Sequence, residues 1–174
     1  MTAEFVVLPR FCGPPRSGNG GYVAGRLASF VNAAVVEVTL RSPPPLGVPL
    51  QVSDDAPGVR LQDGQILVAQ AIPTALDGER PDPVEFGAAA AAAEHYAGRR
   101  SHPFPTCFVC GLDREAGDGM RLEPGAIDDA IQGRVAASWR PDPSLAGADG
   151  VIGPEFGWAA LEGPGDRVDL EEDL

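Results

Sequence analysis

Residues 18–31 read Gly-Asn-Gly-Gly-Tyr-Val-Ala-Gly-Arg-Leu-Ala-Ser-Phe-Val, and this stretch organises the rest of the chain. The cluster 13–21 (GPPRSGNGG) is rich in Gly and Pro, which break regular structure. From Tyr22 to Val31 the apolar positions are 23, 24, 27, 28, 30 and 31, the spacing of a short, mostly buried helix. Asn19 stands ahead of it as a residue type suited to capping a helix N-terminus. Ala24, Gly25 and Ala28 are small, which predicts that strands approach the helix closely. Gly25 costs about 1 kcal/mol of helix propensity relative to Ala, a cost that a close packing contact would explain.

Working outward, Glu4 to Phe11 (EFVVLPRF) reads as a strand before the helix. After it, Ala34 to Arg41 alternates Val36, Val38 and Leu40 with Glu37, Thr39 and Arg41, the period of a half-buried strand. Pro43-Pro44-Pro45 stops that strand. Leu50-Gln51-Val52 and Val59-Arg60-Leu61 are shorter alternating runs, and Asp63-Gly64 is a hairpin signal before Ile66 to Ile72. The order is strand, helix, then three or four antiparallel strands. An α+β arrangement, with an antiparallel sheet wrapped round one central helix, satisfies that order and buries the helix.

Beyond it, residues 73–85 are rich in Pro and Asp and read as a linker, and Ala88 to Ala93 predict a surface helix of high intrinsic propensity. A second unit is expected from about residue 101. Met120 to Leu122 and Ile131 to Trp139 are its strand candidates. Pro154 to Leu161 (PEFGWAAL) is its helix candidate, with Pro in the first turn and Gly163-Pro164-Gly165 past its end. The expected division is therefore 1–75, a linker at 76–100, and 101–174 with an acidic tail.

Composition narrows the function classes. The chain has 174 residues, a length for one domain or two small ones. All 13 basic residues are Arg, and with 22 Gly and 18 Pro this fits the codon bias of a GC-rich bacterial genome. The formal net charge is -12, which repels phosphate backbones, so no nucleic-acid partner is expected. Residues 1–100 carry 10 acids and 8 Arg (-2), whereas residues 101–174 carry 15 acids and 5 Arg (-10), so an anionic ligand would need local Arg. No signal peptide and no run near the ~20 apolar residues of a membrane span are seen, so no membrane partner is expected. Three Cys do not make a secreted disulfide scaffold, and a cytoplasmic location is expected.

Two stretches carry a family resemblance. Phe11 to Ala28 (FCGPPRSGNGGYVAGRLA), followed by Val36 to Arg41 (VEVTLR), resembles the first half of double-hotdog acyl-CoA thioesterases, where a Gly-Gly turn leads into the central helix. His102 to Gly125 (HPFPTCFVCGLDREAGDGMRLEPG) resembles small hotdog thioesterases of the phenylacetate-pathway type, and Pro154 to Gly165 is similar to the hotdog-helix region of thioesterase-like proteins. The resemblance implies a hotdog fold with a partial second hotdog unit, since no strands are expected after the second helix. It also implies acyl-CoA thioester hydrolysis without a cofactor, and a homodimer that places sites at the junction of paired sheets.

On that resemblance, Asn19, Gly20, Gly21 and Tyr22 become the candidate substrate-binding residues. A helix N-terminus offers unpaired N–H groups that can hold an oxyanion, and Gly lets a carbonyl come close. The plain alternative is a turn and cap with no ligand. The family's catalytic acid points to Glu155 and Glu162 as general base; seven residues apart, they share one helix face. Otherwise Glu155 is a dipole partner in the first turn and Glu162 is exposed. No acid lies between Phe11 and Val36, and Asp54 and Asp149 are loop acids with no better claim. That gap leaves a rival reading, a non-catalytic acyl-ligand binding or assembly module.

Cys107-x-x-Cys110, with His102 nearby, raises zinc. A structural site needs about four ligands, and Cys12 is the one other thiol, so no metal is assigned. Redox use is expected in a thioredoxin-like βαβ context, which the sequence lacks, and two partly buried turn thiols are the plainer reading. Arg10, Arg16, Arg26 and Arg41 could meet CoA phosphates or be ordinary surface charges. Trp139 and Trp158 read as core or interface anchors.

Overall fold

The computed structural model describes residues 2–76, 78, 81–127 and 133–165. Strand β1 (Thr2–Val6) leads through a short turn to helix α1 (Gly20–Ala28). Strands β2 (Val36–Leu40), β3 (Pro49–Asp55), β4 (Gly58–Asp63) and β5 (Ile66–Pro73) follow. Together they make a five-stranded antiparallel sheet in the order β1-β3-β4-β5-β2. The class is mixed α+β, as the alternation predicts. Leu50, Val52, Val59 and Leu61 point into the core while Gln51 and Arg60 between them face out. Gly64 takes φ 55° in the turn between Asp63 and Ile66, a left-handed conformation that favours glycine.

Val23 and Leu27 of α1 are fully buried in one core with Leu50, Leu61 and Val68 of the sheet. Each such side chain contributes about 1.5–3 kcal/mol relative to exposure. The helix starts at Gly20 and ends at Ala28, earlier at both ends than the apolar spacing suggests. Phe30 and Val31 still pack on the core from the turn that follows. The first strand is likewise shorter than expected. Its segment ends at Val6, and Pro9–Phe11 is a 3-10 turn because Pro9 has no N–H for a strand ladder.

Helix α2 (Phe86–Ala92) matches the Ala run, but it is not wholly a surface element. Ala89 and Ala92 are buried, and the backbone of Gly125 lies against the Ala92 carbonyl. The strand expected at Met120–Leu122 is absent. Arg121 has φ 50°, which interrupts an extended chain, although Met120 N–H and Leu122 N–H donate to the carbonyls of Phe108 (2.8 Å) and Val109 (2.7 Å). Of the expected strand 131–139, only β7 (Val135–Ala136) forms, paired with β6 (Gly125–Ala126); residues 131 and 132 lie outside the described residues. The acidic tail 166–174 also lies outside them.

Helix α3 (Pro154–Gly165) runs past Leu161 through the Gly-Pro-Gly expected to follow its end. Pro164 falls in the final turn, where it removes one hydrogen bond and leaves almost no helix beyond to disrupt. α3 lies antiparallel on α1, and this contact corrects the expectation for Gly25. A Cβ on Gly25 would sit 2.5 Å from Glu155 Cα, and one on Gly21 would sit 2.6 Å from the Trp158 carbonyl oxygen. The small residues at these positions therefore admit a second helix rather than strands. No helix among the described residues is long and apolar enough to cross a membrane.

Candidate functional site

A cavity of about 830 Å³ opens where the N-terminus of α1 meets the end of α3. Its wall includes the 13–20 loop, Leu40 and Ser42 to Pro44, the segment from His102 to Cys110, and Glu162. Several independent local features converge to build it. The 13–19 loop is pinned by Gly18 N–H to the Pro44 carbonyl (2.8 Å) and Asn19 N–H to the Phe11 carbonyl (2.8 Å). The cysteine segment is pinned by Phe108 N–H to the Cys12 carbonyl (2.7 Å).

At the helix end, Asn19 Oδ1 accepts from Tyr22 N–H at 2.9 Å, the capping geometry its residue type predicts. Asn19 thus caps the helix and also belongs to the cavity lining, although it is buried. Gly21 N–H donates to Glu162 Oε2 at 2.6 Å. This bond puts a carboxylate on the positive end of the α1 dipole, where negative charge is favoured. Gly20 N–H has no acceptor among the described residues, and Gly20 lines the cavity. A Cβ on Gly20 would collide with Glu162 Oε1.

The sequence candidates separate in space. Asn19, Gly20 and Glu162 share the cavity. Gly21 lies beneath α3. Tyr22 turns away into an aromatic cluster, its ring stacked on Phe11 at 4.2 Å between centroids and near Phe108 and Phe156. Burial pushes the Tyr22 phenol up from its ordinary range, against the opposing pull of a 3.2 Å hydrogen bond from Arg26. Glu155 and Glu162 both face α1, as their spacing predicts, but Glu155 lies two turns away beside Gly25 and is not part of the cavity wall.

Of the four Arg residues near α1 in sequence, Arg16 alone lines the cavity. Arg10 donates to the Gly117 carbonyl at 2.7 Å, Arg26 covers the Phe5 ring at 5.0 Å and Arg41 reaches Gln70 at 3.2 Å. Trp158 packs on Gly25, and Trp139 is half-buried against the core. Asp149 accepts from Val151 N–H at 3.0 Å in its own loop, and Asp54 lies in β3.

Cys107 and Cys110 are the part of the wall that residue spacing left as plain turn thiols. They are not remote from the helix terminus; both line its cavity. Their sulfurs are 3.2 Å apart, with Cys110 donating to Cys107. That hydrogen bond, helped by the N–H groups of Cys110 and Val109 and the Arg114 charge, overcomes burial and brings the Cys107 thiol down to about 6. His102 lines the same cavity, its Nδ1 accepting from Phe104 N–H at 3.0 Å. Among the described residues, no group of three or more His, Cys, Asp or Glu side chains could hold a metal ion.

No family model, no curated protein and no solved structure matches the chain.

Proposed function

We propose that β1 to β5 with α1 form a hotdog unit and that the cavity is an acyl-thioester site, with Glu162 as general base. Support for the fold is the sheet order β1-β3-β4-β5-β2 with its helix inserted after the first strand and buried against the sheet. The observation that carries the chemistry is that the Glu162 carboxylate and the N-terminus of α1 share one cavity.

A thioester carbonyl oxygen placed at Gly20 N–H would meet a donor with no other acceptor among the described residues. Glu162 then takes a proton from water, and the water oxygen adds to the carbonyl carbon. The oxyanion accepts from Gly20 N–H while it lasts. The carbon–sulfur bond breaks, and the thiolate leaves with the proton that Glu162 had taken. Arg16 supplies positive charge beside the cavity, which an anionic thioester such as an acyl-CoA needs on so acidic a chain. The homodimer implied by the resemblance belongs to the same proposal and is read by sedimentation of the full chain. Three free thiols support a reducing compartment such as the cytoplasm.

One observation favours a second reading. Gly21 N–H is already taken by Glu162, so one of the two donors expected for an oxyanion is occupied by the acid itself. A module that binds acyl thioesters without hydrolysing them fits that closed arrangement. A hydrolysis screen with acyl-CoAs of several chain lengths decides between them. Turnover that falls with Glu162→Gln supports hydrolysis; saturable binding without turnover selects the module; neither binding nor turnover overturns both.

A further inference from the structure

Cys107 and Cys110 both line a ligand-sized cavity, and their sulfurs stand at a separation that needs little movement to close. We propose that Cys107 and Cys110 are a dithiol–disulfide couple that exchanges with low-molecular-weight disulfides entering this cavity, Cys107 attacking and Cys110 resolving. A disulfide bond is about 2 Å long, so sulfurs 3.2 Å apart have about 1 Å to close. The turn that holds them is fixed from several sides. Gly111 N–H donates to the Cys107 carbonyl at 2.9 Å, Tyr96 hydroxyl donates to the Cys110 carbonyl at 3.0 Å, and Phe108 and Val109 between the thiols are fully buried. Gly111 has no room for a side chain there, because a Cβ would lie 2.6 Å from the Cys107 backbone nitrogen.

The direction of attack follows from the hydrogen bond. Cys110 donates and Cys107 accepts, so negative charge is favoured on Cys107, with Arg114 adding to it. The other charged or titratable groups on the cavity wall are Arg16, His102 and Glu162. Cys12 provides an internal contrast. Its sulfur is held by Arg114 Nη2 at 3.1 Å and donates to the Thr106 carbonyl at 3.4 Å, and it is not on the cavity wall. Cys107 and Cys110 are 5% and 8% exposed and both line the cavity, so the partner proposed is a small disulfide rather than a protein-sized one.

The exchange balances in two steps. Cys107 thiolate attacks one sulfur of the disulfide, forms a mixed disulfide and expels the first thiolate. Cys110 then gives up its proton, attacks Cys107 sulfur and expels the second thiolate. The small disulfide is reduced to two thiols, and the two cysteines are oxidised to one disulfide.

Hydroxyethyl disulfide, small and uncharged, is the probe. The full chain is treated with it at pH 7, quenched in acid, alkylated and mapped by peptide mass spectrometry. A Cys107–Cys110 linked peptide lighter by two hydrogens, with Cys12 still alkylated, is the expected product. Cys110→Ser should trap the adduct on Cys107, and Cys107→Ser should form an adduct on Cys110 about tenfold more slowly. Alkylation of wild-type Cys107 by iodoacetamide should rise with pH and level off above about 6. An ordinary thiol levels off only above about 8.5. The sign follows from the lowered value, since the reactive thiolate is lost as pH falls through it. Unmodified Cys107 and Cys110, first reaction at Cys12, equal trapping in both variants, or stoichiometric zinc on the purified chain would each overturn the proposal. None of these readouts depends on thioester hydrolysis.

Discussion

The two ends of the α1–α3 contact begin with the same ingredients and finish differently. At one end Glu162 meets the Gly20-Gly21 terminus of α1, accepts from Gly21 N–H at 2.6 Å and looks onto the cavity. At the other, Glu155 lies against Gly25 and near the Tyr22 phenol, beside Trp158 and away from the cavity wall. Both acids occupy the same face of the same helix. The difference lies in what α1 presents to each: amide donors beside a cavity at its start, a closed small-residue contact further along. An acid on a helix face becomes a candidate base through the element it meets, not through its place in a pattern.

The largest effect should come from exchanging charge for shape at the open end. Glu162→Gln keeps an oxygen for Gly21 N–H but removes the base, and turnover of an acyl-CoA should fall about 100-fold or more. Glu155→Gln should leave turnover within about twofold; equal losses in both variants would erase the distinction between the two ends. Next comes the closed end. Gly25→Ala forces a methyl group against the backbone of α3, and urea unfolding should show a loss of about 1–3 kcal/mol. An unchanged midpoint would mean that the helices part without cost. The smallest effect belongs to the cap. Asn19→Ala removes the 2.9 Å bond to Tyr22 N–H and should cost about 1 kcal/mol.

The sheet was legible in the sequence because each strand states its own alternation; Leu50-Gln51-Val52 and Val59-Arg60-Leu61 need no distant partner to be read. The start of α1 was legible for the same reason, since Asn19 and the glycines are a local signal. What could not be read is non-local. Gly25 signals close packing without saying whether a strand or a helix comes close, and the answer lies in Glu155 and Trp158. Glu155 and Glu162 are equivalent in spacing and differ only through α1. The Cys-x-x-Cys motif is visible, but its cavity is made by loops near residues 15, 43 and 103. The failed strand at Met120–Leu122 has a local cause, the positive φ of Arg121, which residue type does not announce.

The bond between Gly21 and Glu162 joins positions 141 residues apart. Contacts of such span are slow to form, because a long loop must close before the contact is rewarded. The hairpins linking β3, β4 and β5 close over a few residues and can assemble early. A refolding chain is therefore expected to own its sheet before it owns its cavity. Protection of strand amides should precede protection of Gly21 N–H, and any ligand of the cavity should bind only the last species to appear.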